Sequence, residues 1–252
     1  MLRRNRFAGL ATALVATGCF NGGGSDGCVP ANANGLVGNG AFSYVCRSEA
    51  DQGCTGGSGL TPLGAIPSSV ARGASFGLRF DGKGRSYDVA PVSTRTVLRE
   101  SSWFRSTRAG TVGFLVQDGQ EVVDAVRLAF VEPTRVIVPA PNDDLFAGPA
   151  ARVGQAVRLH AVPYGSVSGT EMPLAGALPV TWTTDAGVAL DTSVPGVASF
   201  VPRRPGRVVV RADFEGRLSG EVTLDVEGEA EPEIDAGSLD ASSADASDGG
   251  AP

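Results

Sequence analysis

The residues able to do chemistry are few in this chain. It has one histidine, His160, and four cysteines, Cys19, Cys28, Cys46 and Cys54. The stretch Gly23-Gly-Ser-Asp-Gly27 has the Gly-x-Ser-x-Gly spacing of a nucleophile elbow, which needs a strand before it and a helix after it. Here it stands in a glycine-rich run with neither, so it reads as a chance match. A serine triad would need His160, and Val157-Arg-Leu-His160 reads as a strand with Val157 and Leu159 on one face and His160 on the other. Asn142-Asp143-Asp144 offers oxygen ligands for calcium, but after two prolines it reads as a solvated turn. Asp185 and Asp191 bracket Val188-Ala-Leu190, where turn aspartates belong. A zinc site would require an unusual ligand set with a single histidine available. Trp103 and Trp182 are the candidates for stacking against sugar; Trp182 reads as core, whereas Trp103 and Phe104 point in alternate directions. These residues assemble no catalytic or metal site, and the sequence is expected to be non-catalytic, with no cofactor.

The cysteines point instead to an exported setting, where disulfides persist. Cys46–Cys54 is the favoured pair because it closes a short loop across a polar turn; Cys28–Cys46 is the alternative. The basic Met1-Leu-Arg-Arg-Asn-Arg6 precedes an apolar run from Phe7 to Ala16, too short for a mature transmembrane helix. Thr17-Gly18-Cys19 follows, and this resembles the lipobox of bacterial lipoproteins, with Ala16 where that motif usually has Leu. The resemblance implies cleavage before Cys19, lipidation of its thiol and attachment to a membrane. Phe20 follows in place of aspartate, which implies the outer membrane or cell surface.

Two kinds of element must position whatever the chain presents. Short apolar alternations fill its middle: Phe76, Leu78 and Phe80; Val112, Phe114 and Val116; Val126, Leu128 and Phe130; Val180, Trp182 and Thr184; Val208, Val210 and Ala212; Val222, Leu224 and Val226. Period two marks strands buried on one side, and Gly and Asp/Ser clusters between them supply turns. The pattern repeats. Phe104 precedes Gly110 by six positions as Phe200 precedes Gly206, and Asp118-Gly119 mirrors Glu215-Gly216. The middle of the first copy is shorter than that of the second. The expected fold is all-β, with two tandem β-sandwiches.

The second copy carries a more specific resemblance. Gly154-Gln155, Leu159, Trp182-Thr-Thr-Asp185, Val188-Ala-Leu-Asp191, Gly196 and Gly206-Arg-Val-Val-Val-Arg-Ala212 fall in one order. Over residues 135–228 the chain resembles the group 2 bacterial immunoglobulin-like domain, which implies an extracytoplasmic setting and an all-β fold of two tandem immunoglobulin-like sandwiches, the first a degenerate copy, but no reaction.

The expected organisation is a signal peptide over 1–18, a flexible tether over 19–35, a small cysteine-containing segment over 36–65, a degenerate sandwich over 66–134, the second sandwich over 135–228 and a disordered acidic tail over 229–252. Prolines in Val131–Pro141 exclude a central strand there, leaving Val136 and Val138 to start the second sandwich at an edge. Eight of the 27 acidic residues lie from Glu227 onward, leaving 19 against 21 basic ones, so the folded part is about neutral. It has no basic stripe with interleaved aromatics, and no nucleic-acid partner is expected. The expected role is a lipid-anchored surface protein that presents its modules for adhesion to a surface protein or glycan. The alternatives are a structural spacer or envelope-complex subunit, and a carbohydrate-binding accessory module. An exposed Trp103 would favour binding over spacing.

Overall fold

The computed structural model describes residues 35–54, 66–82, 85–141 and 151–230. The expected signal peptide, Cys19, the tether, Cys28, the Gly23–Gly27 motif, Asn142–Asp144 and all of the acidic tail beyond Ala230 lie outside the described residues. The described chain is all-β. The first module comprises β1 (Ala41–Val45), β2 (Val70–Ala71), β3 (Ser75–Gly82), β4 (Arg85–Tyr87), β5 (Val89–Pro91), β6 (Val97–Glu100), β7 (Trp103–Ser106), β8 (Gly110–Asp118) and β9 (Glu121–Val131). The second comprises β10 (Arg135–Ile137), β11 (Ala151–Arg152), β12 (Val157–His160), β13 (Val162–Val167), β14 (Thr170–Pro173), β15 (Thr181–Thr184), β16 (Val197–Phe200), β17 (Gly206–Phe214) and β18 (Leu218–Glu227).

Each module is a sandwich of immunoglobulin type. In the first, a sheet of order β2-β9-β8-β5 faces one of order β1-β3-β7-β6, with β4 paired to β3. In the second, β11-β18-β17-β15 faces the β12-β16 pair and the β10-β13-β14 sheet. The inner faces are built from the alternations in the sequence. Along β18, Gly220, Val222, Leu224 and Val226 are buried while Ser219, Glu221, Thr223 and Asp225 are exposed. Phe76 stands between the sheets of the first module, within 6.1 Å of the ring centres of Phe104, Phe114 and Phe130. Trp182, 9% exposed, fills the second core and pairs with Ala212 of β17.

The repeat extends to register. Gly110 faces Phe130 in the β8–β9 hairpin, and Gly206 faces Val226 in β17–β18. Phe76 pairs with Phe104 in one module, and Val157 pairs with Phe200 in the other. Both hairpins open on a glycine with matching backbone, φ 130° at Gly110 and φ 133° at Gly206. A Cβ at either site would meet nothing within 4 Å, so the backbone angle, not lack of space, demands glycine. A parallel edge strand completes each copy, with β2 on β9 and β11 on β18. The longer middle of the second copy is occupied by the β13–β14 hairpin and the Leu174–Leu178 segment after it.

One placement differs from what local patterning suggests. Residues 41–45 form a strand, but one that does not stand apart: β1 pairs with β3 over five residues and so shares the first module's sheet. Ahead of it, residues 35–39 are fixed to β9. Asp124 accepts the N–H groups of Val37 and Asn39 at 3.0 and 2.8 Å, and Leu36 N–H donates to Ala125 O. Burial opposes the charge of Asp124, yet these donors hold its carboxyl below the usual aspartate range. The start of the second module, β10, follows the sequence. It takes the expected edge position beside β13, with Val136 and Val138 buried.

Candidate functional site

Among the described residues, a cluster of polar groups lies where the modules meet, on the loop closed by cysteines. Cys46 and Cys54 are joined as a disulfide, with Cα atoms 6.1 Å apart. The loop between them sends three successive residues to the second module. Glu49 contacts Arg158, and its Oε1 lies 3.4 Å from His160 Nε2. Ala50 packs on Gly196, where an added Cβ would come within 3.1 Å of the alanine Cβ. Asp51 is buried, and its Oδ1 accepts the Gly176 N–H at 2.7 Å. The same carboxylate accepts the Gly53 N–H at 2.8 Å and the Tyr44 hydroxyl at 3.0 Å. Desolvation pushes the Asp51 carboxyl up to about 6 despite these three donors. Burial, followed by the nearby Asp51 charge, pushes the Tyr44 hydroxyl well above its ordinary range.

Gly176 sits at the centre of a segment that joins the first module's sheet edges. Ala71 N–H donates to Ala175 O, Ala175 N–H to Ser69 O, and Ser75 and Ala177 exchange both backbone bonds. Leu174, Ala175, Ala177 and Leu178 are all buried. Gly176 adopts φ 96°, and a Cβ there would meet Ala74 Cβ at 2.5 Å, so only glycine permits this approach.

A third contact closes the other side of the junction. The Arg72 guanidinium lies 5.4 Å over the Phe214 ring and donates to Glu132 and Glu215 at 2.7 Å each. Arg217 donates to the same Glu215 at 2.6 Å. Hydrogen bonding from Arg72 pulls the Glu215 carboxyl down to about 2. Glu215 itself has φ 55°, a left-handed conformation that costs a non-glycine residue about 1 kcal/mol or more. Loop, inserted segment and ion-pair cluster tie the modules together at three places, and the buried apolar residues of both modules form one continuous core.

The other candidates are dispersed. His160 lies half-buried on the opposite face from Val157 and Leu159, as its position in the strand implies, but its ring is turned to Glu49 of the first module. Asp185, just after β15, accepts the Val209 N–H of β17, whereas Asp191, bridged to Ser199, accepts the Ser193 N–H two residues on, as a turn residue does. Trp103 is half-buried, and the Arg47 guanidinium lies 5.8 Å from its ring centre. That arginine covers one face of the ring, so a bare stacking platform does not form there. Sequence reasoning missed Asp51, Arg72 and Gly176; the one hint was an acid between two cysteines.

The second module also carries an open groove of about 660 Å3 between the 186–189 and 201–208 turns. Val188, Ala189 and Val208 line it, and Arg203, Arg204 and Arg207 are exposed along it. A shallower hollow of about 390 Å3 continues it past Ala189 and Val201.

No protein-family model matches the chain, and no curated protein matches it. Solved structures with similar strand arrangements are known. Domains 5–6 of the S-layer protein SbsC are 16% identical over 63% of this chain and 91% of that one, with a TM-score of 0.26. The Escherichia coli adhesin FdeC is 12% identical over 66% of this chain and 62% of that one, with a TM-score of 0.26. The D0-D1 domain of intimin is 16% identical over 63% of this chain and 94% of that one, with a TM-score of 0.24.

Proposed function

We infer that the protein is a non-catalytic, lipid-anchored surface protein that holds two immunoglobulin-like modules as one rigid unit for contact with a surface protein or glycan. The observation that carries this reading is the junction: a disulfide-closed loop of one module plugs into the other through Glu49, Ala50 and Asp51. Modules free to swing need no such contacts, since interfaces within a chain default to relative motion unless large and apolar. Rigid presentation lowers the entropy lost when a partner binds. The anchoring part of the reading rests on the sequence before Cys19. Each buried methylene contributes about 0.8 kcal/mol of membrane affinity, so more than one acyl chain is needed for stable attachment.

The test is fractionation of cells expressing the full chain. The wild type should partition into detergent and be cleaved by protease added to whole cells, whereas Cys19→Ser should be soluble or remain an uncleaved precursor. A wild-type protein free in the medium, with its N-terminus elsewhere, would remove the anchor and the surface role with it.

A further inference from the structure

We propose that the groove of the second module is the docking site for the chain's own acidic segment, residues 231–235. Three observations converge on it. The first is chemical match. The groove has an apolar floor of Val188, Ala189 and Val208 beside three exposed arginines, Arg203, Arg204 and Arg207. The segment Glu229-Ala-Glu-Pro-Glu-Ile-Asp235 has one large apolar residue, Ile234, flanked by Glu233 and Asp235 and preceded by Glu229 and Glu231. Ile234 and Leu239 are the only large apolar residues beyond Glu227.

The second is position. The chain leaves β18 at the end of the module that carries the groove. Gly206 at the groove edge faces Val226, and Arg207 faces Asp225. Val153 N–H donates to Glu227 O, and the neighbouring Gly154 N–H donates to Pro202 O. The third is reach. Ile234 lies eight positions after Val226, an extended span of roughly 26 Å at about 3.3 Å per residue, ample to turn back over the adjacent turn. The linker is short, so the effective concentration is in the millimolar range and a weak contact is sufficient to fill the groove. A guanidinium fork suits carboxylates, and Val201, 46% exposed beside the floor, would be covered.

Nuclear magnetic resonance on the full chain at low salt tests this. The amides of Glu231, Glu233, Ile234 and Asp235 should show reduced fast motion in the wild type. R203E/R204E/R207E should move their shifts and restore free-chain relaxation, while the β17–β18 amides report an intact fold. Ile234→Ser, which alters no charge and lies beyond the end of β18, should do the same. Identical shifts and free-chain motion in the wild type and both variants would overturn the proposal. So would release by charge reversal but not by Ile234→Ser, since the segment would then be held by charge alone. Shifts that grow with protein concentration would place another copy's segment in the groove and overturn docking within one chain.

Discussion

Asp51 Oδ1 accepts the backbone N–H of Gly176 at 2.7 Å, a bond between residues 125 positions apart that ties the cysteine-closed loop of one module to the inserted segment of the other. A buried carboxylate is costly to desolvate, and three donors offset part of that cost. The bond makes the junction sensitive to this one side chain.

Asp51→Ala leaves the N–H groups of Gly176 and Gly53 and the Tyr44 hydroxyl without their acceptor. Unpaired buried donors cost about 1–3 kcal/mol each and do not add fully, so a loss of about 3 kcal/mol is expected. For a chain of this size that lowers the melting temperature by roughly 6–12 °C. Calorimetry checks it; an unchanged melting temperature would mean that solvent reaches the site.

The pH dependence has two windows of opposite sign. The Asp51 carboxyl rises from 3.8 to about 6 on folding, so the folded state binds the extra proton. Its contribution is fully present below 3.8 and is lost as pH rises through 6. At a shift of about two units this is on the order of 3 kcal/mol. Glu215 falls from 4.5 to about 2, so its contribution is present above 4.5 and is lost as pH falls through 2. Glu215 is exposed enough for solvent to screen it, and its share is the smaller. The melting temperature should therefore peak near pH 4–5, and Asp51→Asn should flatten the decline above it. A melting temperature that climbs steadily from pH 4 to 7 in the wild type would contradict the assignment.

Reduction of Cys46–Cys54, or the paired change to alanine, should cost about 2–3 kcal/mol for so short a loop. The same loop carries Glu49, Ala50 and Asp51, so the loss should appear as faster amide exchange at Gly176 and Ala177 as well as at the loop. Faster exchange confined to residues 46–54 would separate the disulfide from the junction.

Trp182→Ala should cost about 3–5 kcal/mol through the cavity it leaves in the second core. Thermal unfolding with no second-module transition at lower temperature would remove Trp182 from that core.

What the sequence makes legible is the part of the fold governed by period. Val112, Phe114 and Val116, with their counterparts Val208, Val210 and Ala212, declare a buried face within five residues, and the residues facing them do likewise. Gly110 and Gly206 mark the same backbone turn twice. The junction carries no such signal. Leu174-Ala-Gly-Ala-Leu178 does not alternate, because it is enclosed on every side and pairs only in fragments. Asp51 reads as a loop acid, since its burial depends on Tyr44 and on a glycine from the other module. The pairing of β1 with β3 joins segments more than 30 residues apart, and the small cysteine-containing segment reads as separate for that reason.

Residual dipolar couplings from the full chain in a dilute aligned medium test the rigid two-module account most directly. Couplings from β8–β9 and from β17–β18 should fit one alignment tensor in the wild type, and Asp51→Ala should begin to separate them. Two tensors of different magnitude in the wild type would show modules that move independently, and the rigid presentation at the centre of this account would be contradicted.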